Sequence, residues 1–552
     1  MRSRIPPRPS LRRRRPATRL LGPLLVLLLL AACARAERPW QLGATCYEVF
    51  VRSFADSDGD GIGDLRGLTA RLDHLNDGDP AGGDDLGVRC VWLMPVAESP
   101  SYHGYDVSDH YAVERDYGTR EDLQRFIAEA HRRGIRVLVD MVLNHVSSEH
   151  PAFQAALRDT AAPERALFRF QPTKGPLNEW GGDNWHRSPV RDEWYYGFFW
   201  QGMPDLDYTR PAALAEMQRV ARFWLDSIGV DGFRLDAVKF LVEEPGRAQD
   251  TPGTHRVLRE WAAFVRGVRP GVYTVGEVFD STGALLAYYP DQLDGYFAFE
   301  VADSLVRGVR DGRGSGILAP ALRLQREVPQ AWRVSPFLRN HDQPRTRTEL
   351  GGSREKAKQA AVLQLTLPGL PFVYYGEELG MEGTKPDERI RTPMAWALAG
   401  PHAGFTTGTP WQPLQPDSLE SNVEAQRADP ASSLALYRRL IRLRDSLPAL
   451  AEGRLHPVAA SDSAVVAYVR RAGNRAVLVV ANLGESALAD VLLSAPEGTL
   501  PEGRAHLQPL LPVFADVGAA RELRAGPGGA LRDLVAVPVM PPGYVQVFAL
   551  EP

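Results

Sequence analysis

VLVDMVL runs from Val137 to Leu143. Six of its seven residues are apolar, so it lacks the in–out alternation of a half-solvated strand. A short, unbroken apolar run reads as a strand buried on both faces, the kind that parallel sheets contain. A helix candidate, Arg120–Arg133, lies before it, and a further apolar run, CVWLMP (90–95), before that. Working outward in both directions, the same unit recurs. CYEVFV (46–51), GFRLDA (232–237), YTVGEVF (273–279), DGYFAFE (294–300), VSPFLRN (334–340) and FVYYGEE (372–378) complete a set of eight strand candidates. Further helix candidates lie at Pro211–Ile228 and His255–Gly267. Eight strand–helix units predict an α/β fold class, a parallel (β/α)8 TIM barrel.

Two stretches break the pattern. From Ser147 to Pro204 no strand–helix unit is visible, and the segment is rich in Trp, Asn, Gly and Pro. An insert of that length after strand 3 predicts a small functional subdomain. After the helical Ser433–Leu447, Val465–Arg470 and Arg475–Asn482 read as short strands, and turn residues fill the tail. This predicts a C-terminal β-sandwich. The barrel is accordingly assigned to 40–146 and 205–451, the insert to 147–204, the sandwich to 452–552 and a linker to 33–39. No internal repeat is visible.

The chain has 552 residues, 44% of them hydrophobic, and a net charge of −4. Five of its 64 basic residues are Lys and the rest Arg, interspersed with acids, which marks base composition and gives no sign of a nucleic-acid partner. No phosphate loop and no HExxH zinc helix is present. Residues 1–19 carry eight Arg and no acid, and Leu20–Ala32 is a 13-residue apolar run, short for a membrane span. That is a secretory signal, 1–32. Its end, Leu30-Ala31-Ala32-Cys33, resembles a bacterial lipoprotein signal. The resemblance implies an exported protein lipid-anchored through Cys33 to a bacterial membrane, with Ala34 pointing to the outer membrane and the anchor as the one membrane contact; separately, a monomer is expected. Cys46 and Cys90 precede or sit in strand-like runs and are expected as buried free thiols; a disulfide is the alternative in an oxidising compartment, and sequence does not decide it.

DSDGDGIGD (56–64) reads like the start of an EF-hand loop. An EF-hand needs a bidentate acid at loop position 12, which here is Gly67, and a helix before the loop, where a strand candidate lies instead. Calcium sensing is therefore excluded. Yet Asp56, Asp58, Asp60 and Asp64 within nine residues repel one another without a cation. With the Ile62 carbonyl they form a hard-oxygen set, and a structural Ca²⁺ is expected as cofactor.

YEVFVRSFADSDGDGIGDLRGL (47–68) resembles the opening of the α-amylase superfamily, glycoside hydrolase family 13. The likeness recurs in order: DMVLNH (140–145), MPDLDY (203–208), GFRLDAVKF (232–240), GEVF (276–279) and RNHD (339–342). It covers about residues 40–450, and the sandwich fits that family's third domain. The resemblance implies that Asp236 is the nucleophile. By the same likeness Glu277 gives a proton to the leaving oxygen and then activates water, and Asp342 stabilises the oxocarbenium-like transition state. Retention of configuration, which the family implies, requires the Asp236 and Glu277 carboxyls to lie roughly 5–5.5 Å apart. Arg234 lies two residues before Asp236, so on a strand both point the same way. The family's motifs further imply that His145 and His341 bind sugar hydroxyls and that Tyr105, beside His103, is the platform under the sugar. Asp140 and Asn144 are expected to support the loops, and Trp180, Trp185, Trp194 and Trp200 either to supply further platforms or to pack the insert.

Relatives that trim single glucose units carry an Asp three residues before the platform tyrosine; Tyr102 stands there, and Tyr102-His103-Gly104-Tyr105 resembles endo-acting α-amylases. The Asp loop, MPDLDY and Arg391–Trp396 resemble the oligo-1,6-glucosidase side. Many α-amylases also have a His after Lys239 as ligand of an interdomain Ca²⁺; Phe240 stands there, so that second site is not expected, while Lys239 is expected to bind sugar. The resemblance implies an endo-acting α-amylase that cleaves α-1,4-glucosidic bonds of starch-like glucans and maltooligosaccharides. An α-glucosidase, neopullulanase-like or transglycosylating enzyme is the nearest alternative. A non-catalytic glycan-binding or transporter-associated protein would have lost a carboxylate, and all three are present.

Overall fold

The computed structural model describes residues 38–512 and 522–551. The signal expected at 1–32 and the lipidation expected at Cys33 lie outside the described residues. Among the described residues no helix is long and apolar enough to cross a membrane.

Eight strands build the barrel: β1 (Cys46–Val49), β2 (Cys90–Leu93), β3 (Arg136–Val142), β4 (Gly232–Asp236), β5 (Tyr273–Gly276), β6 (Gly295–Phe297), β7 (Val334–Ser335) and β8 (Phe372–Tyr374). Neighbours pair in parallel in the order β7-β6-β5-β4-β3-β2-β1-β8. Between β7 and β8 loop backbone carries the contact, with Leu370 N–H donating to Val334 O at 2.8 Å and Phe372 N–H to Pro336 O at 3.0 Å. β7 is much shorter than its apolar run because Pro336, which has no N–H, ends it. The strands are buried on both faces, which is why they read as continuous apolar runs.

Helices cover the outside. α1 (Arg120–Arg132) opens with a reciprocal capping box between Thr119 and Asp122. α2 (Pro211–Phe223) passes into a π-turn, Trp224–Ile228, that ends at Gly229 with φ of 96°. α3 (Pro252–Val268) starts earlier than its apolar spacing indicates, because Thr251 caps it and Pro252 occupies the first turn. α4 (Arg354–Thr366) and α5 (Ser433–Ser446) lead to the C-terminal region. Within 147–204 lie a helix, Pro151–Arg158, and a three-stranded antiparallel sheet of Phe170–Gln171, Trp185–Arg187 and Trp194–Tyr196. The chain leaves and re-enters the barrel side by side: Val146 N–H donates to Pro204 O, and Leu206 N–H to Asn144 O.

After residue 453 the chain is antiparallel β. β9 (Arg454–Ala460) pairs with β10 (Val465–Ala472) through its first residues and with Leu493–Ala495 through its last two, so it passes from one sheet to the other. β11 (Arg475–Asn482) and β12 (Val545–Glu551) follow in the first sheet. Side chains from both sheets share one apolar core.

Cys46 and Cys90 are joined in a disulfide, with Cα atoms 4.3 Å apart. The free-thiol expectation is thereby corrected. The two residues face each other in register across β1 and β2, a relation that only the sheet supplies.

Candidate active site

The side chains of interest collect where strands end. Asp140 on β3 pairs in register with Arg234 on β4, and Val142 with Asp236, so Asp140, Arg234 and Asp236 point to one side. Ala237 then takes a left-handed conformation, φ 48°, and turns the chain away directly after Asp236. Glu277 follows β5, its N–H bound to Leu235 O at 3.0 Å.

Arg234 is fully buried and joins these groups. Nη1 donates to Asp236 Oδ1 at 2.8 Å and to both oxygens of Asp140 at 2.9 Å, and Nη2 donates to Glu277 Oε2. One guanidinium thus holds two of the three expected catalytic carboxylates. Its face lies 5.0 Å from the Trp92 ring. Asp140 is pushed up to about 7 by burial, against Arg234 and with Asp236 adding repulsion. It also accepts from Tyr105 Oη at 3.1 Å and Trp92 Nε1 at 3.3 Å. Asp140 therefore belongs to the ionic network itself, closer to the reacting groups than a loop support.

A second chain of contacts carries Asp342. His341 is buried, with Nδ1 against Glu48 Oε1 at 2.6 Å and Nε2 within 2.6 Å of Tyr105 Oη and 3.2 Å of Asp342 Oδ2. Its ring stacks on Tyr105, centroids 5.5 Å apart. Burial would lower His341, but Asp342 and Glu48 raise it to about 9. Arg391 donates to Asp342 Oδ1 at 2.9 Å and to His341 O at 2.9 Å. Desolvation would raise Asp342; His341 and Arg391 outweigh it and hold the carboxyl well below the usual range.

His145 is buried, and its Nε2 has no partner among the described residues. His103 stacks on Tyr105 with centroids 6.1 Å apart, and its Nδ1 accepts from Tyr105 N–H. Lys239 stands outside this cluster and donates to Asp280 Oδ2 at 2.7 Å and Phe279 O at 3.3 Å. Neither Glu48 nor Arg391 was expected in the site from the sequence. Glu48 did carry a signal, a lone acid in a buried apolar strand, where an unpaired charge is costly.

In the Asp loop the carboxylate oxygens of Asp56, Asp58 and Asp64 come within 4.8 Å of one another. Asp60 Oδ1 accepts from Ile62 N–H at 2.7 Å, as Asp56 Oδ2 accepts from Gly61 N–H at 2.8 Å. Burial pushes Asp60 up, with Asp58 and Asp56 adding repulsion, as expected of acids crowded without a cation. Three hard oxygens at this spacing fit Ca²⁺. Asp64 also caps the helix Leu65–Ala70 through Gly67 N–H. The loop is clipped to residues 405–411: Asp56 N–H donates to Phe405 O at 3.0 Å, Trp411 N–H to Gly61 O at 3.0 Å, and Thr406 Oγ1 to Asp56 Oδ2. Gly61 has φ of 95°, and an added Cβ would meet Thr409 O at 1.8 Å. Trp411 packs in turn on Tyr102, centroids 5.4 Å apart.

Residues 48–453 match the family model described as the alpha amylase catalytic domain. Alpha-amylase 3 of Dictyoglomus thermophilum is 37% identical over 81% of this chain and 86% of its own length. The oligo-1,6-glucosidase of Parageobacillus thermoglucosidasius is 32% identical over 81% of this chain and 91% of its own. Among solved structures, the alpha-amylase from H. orenii superposes with a TM-score of 0.78 at 35% identity, covering 92% of this chain and 99% of that one.

Proposed function

We infer the activity from one premise: the chain belongs to the alpha-amylase family of glycoside hydrolases. An α-glucan as substrate fits that membership. The finer reading is an endo-acting, retaining enzyme on α-1,4-glucosidic bonds. The observation that carries it is Arg234, which holds the Asp236 and Glu277 carboxylates from two sides of one guanidinium. In this reading Asp236 attacks the anomeric carbon and forms a glycosyl ester. Glu277 protonates the departing oxygen, then takes a proton from the water that opens the ester. Asp342, kept ionised by His341 and Arg391, binds ring hydroxyls and faces the positive charge that develops. His145 Nε2 is free to meet a further hydroxyl. Tyr102, packed on Trp411, stands where the resemblance gives single-glucose-trimming relatives an Asp.

Product analysis tests this. Long maltooligosaccharides should yield a spread of shorter ones, released as α-anomers by NMR, and Asp236→Asn should yield none. Glucose as the one product, or cleavage of isomaltose or panose, would move the enzyme to the glucosidase side. A Ca²⁺ bound by Asp56, Asp58 and Asp64 would neutralise the loop and take no part in bond cleavage. Residues 1–33 support an exported enzyme anchored through Cys33, and the Cys46–Cys90 disulfide supports an oxidising compartment. Cys33→Ser should move the protein from the membrane to the soluble fraction on cell fractionation.

A further inference from the structure

Arg71 is a half-buried cation without an anion. It stands at the junction of two short helices, Leu65–Ala70 and Leu72–Leu75. Its guanidinium lies over the Trp396 ring, 4.6 Å from the centroid, and Nη2 donates to Gly404 O at 3.3 Å. Among the described residues no carboxylate forms an ion pair with it. The one charge that reaches it is a second cation, Arg427, in the last turn of the helix Val423–Ala428. Burial lowers Arg71, and repulsion from Arg427 lowers it further. Arg427 also repels Arg438, which is buried on α5. Arg442 adds to that repulsion, while Asp84 and Asp85 oppose it. Arg438 donates through Nη2 to Asp84 O, and its Nε has no partner among the described residues.

Arg71 and Arg427 line a hollow of about 410 Å³, with His74 and Trp396 in its wall. No residue of its lining belongs to the carboxylate cluster. Two acids border it, and both are engaged elsewhere. Asp73 Oδ1 accepts from Arg133 Nη2 at 2.7 Å, and Glu424 Oε2 from Leu398 N–H at 2.8 Å. Alone, exposed Arg427 would be at ease in water. Two cations on one hollow, one of them half out of water, raise each other's cost unless an anion lies between them. A guanidinium fork matches two oxygens of a phosphate, and two forks from separate elements fix its place. A phosphate ester carries up to about two negative charges and so balances both forks, where a carboxylate balances one. The hollow has room for an organic group beyond the phosphate.

We propose that this hollow binds a phosphate group between Arg71 and Arg427, carried either by a small free ester or by a lipid headgroup. The site takes no part in bond cleavage and does not rest on the hydrolase reading.

The test follows thermal unfolding of the full-length protein with sn-glycerol 3-phosphate, against sodium chloride of equal ionic strength. Glycerol 3-phosphate should raise Tm where the chloride does not, and Arg427→Gln should weaken its binding at least tenfold. Without ligand, Arg427→Gln should melt no lower than wild type, because it relieves the repulsion on Arg71. A residue needed only for structure would lose stability in both conditions. Dihexanoyl-phosphatidylglycerol, below its micelle concentration, separates the two sources. Binding at least tenfold tighter than glycerol 3-phosphate assigns the site to a headgroup, and equal binding assigns it to a free ester. If sodium chloride gives the same rise, or if neither phosphate compound binds, the site is overturned. Equal affinity in wild type and Arg427→Gln overturns it as well, whether or not Arg71→Gln folds.

Discussion

His341 sits between two acids, Glu48 and Asp342, and under the Tyr105 ring. Its imidazolium is the charge that lets buried Glu48 on β1 and Asp342 beyond β7 lie on either side of one ring. Because the folded state raises His341 from about 6.5 to about 9, its contribution to stability is full below about 6.5 and is lost as pH climbs through about 9. That difference corresponds to about 3 kcal/mol. Asp342 has the opposite sign: its contribution is present above the ordinary carboxylate value and disappears as pH falls below that range. Thermal unfolding from pH 6 to 10 should show wild type and His341→Gln far apart at the acid end and converging towards pH 9. A constant gap would mean that His341 acts by packing alone. None of this pairing was legible in the chain. Glu48 and His341 are 293 residues apart, and Arg391 reaches Asp342 across 49. The three carboxylates themselves were legible, because each is set in its own short string at a strand end.

At the scale of elements, the Asp loop and the 405–411 segment behave as one unit. Asp56 takes a hydroxyl from Thr406, Gly61 packs on Thr409, and Trp411 links the pair to Tyr102 at the edge of the site. Chelation should therefore do more than lower stability. If the proposed Ca²⁺ binds, a hundredfold excess over its Kd should add about 2.7 kcal/mol to the folded state, and EDTA should remove it. Trp411 should report the same event through its fluorescence. Asp58→Asn should abolish the Ca²⁺ response in both readouts and leave the metal-free protein nearly unchanged, since Asp58 is exposed. Asp64→Ala should lose the response and also about 1 kcal/mol without metal, because Asp64 caps the following helix. An Asp58→Asn variant that still responds to Ca²⁺ would place the ion elsewhere. Residue spacing revealed the loop, and backbone N–H groups of the turn bind its carboxylates, Asp60 through Ile62 and Asp56 through Gly61.

Across the whole molecule, legibility followed the length of unbroken apolar sequence. The eight barrel strands declared themselves because each is buried on both faces. The insert announced itself as a gap, but its strands of two or three residues are too short to show alternation. The disulfide needed the register of β1 on β2. Least visible of all was the junction between barrel and C-terminal sheets, where buried polar contacts accompany a shared apolar core. Arg444 on α5 and Arg470 on β10 are fully buried, and each donates to backbone carbonyls. Arg444 binds Leu365 O, Leu367 O and Gly369 O. Arg470 binds Thr366 O, Leu450 O and Gly453 O. The carbonyls at 365–367 close the C-terminus of α4, where the helix leaves them unpaired and its dipole favours a cation. Tyr468 adds a hydroxyl contact to Thr366. Arg470→Met keeps most of the volume but strips donors from three buried carbonyls. It should cost about 3 kcal/mol and split a single calorimetric unfolding transition in two, the C-terminal sheets melting first. Tyr468→Phe, which removes one hydroxyl at the same junction, should cost about 1 kcal/mol and leave the transition single. Equal small losses in both variants would mean that apolar contact alone docks the two parts, and that the buried guanidinium is incidental to it.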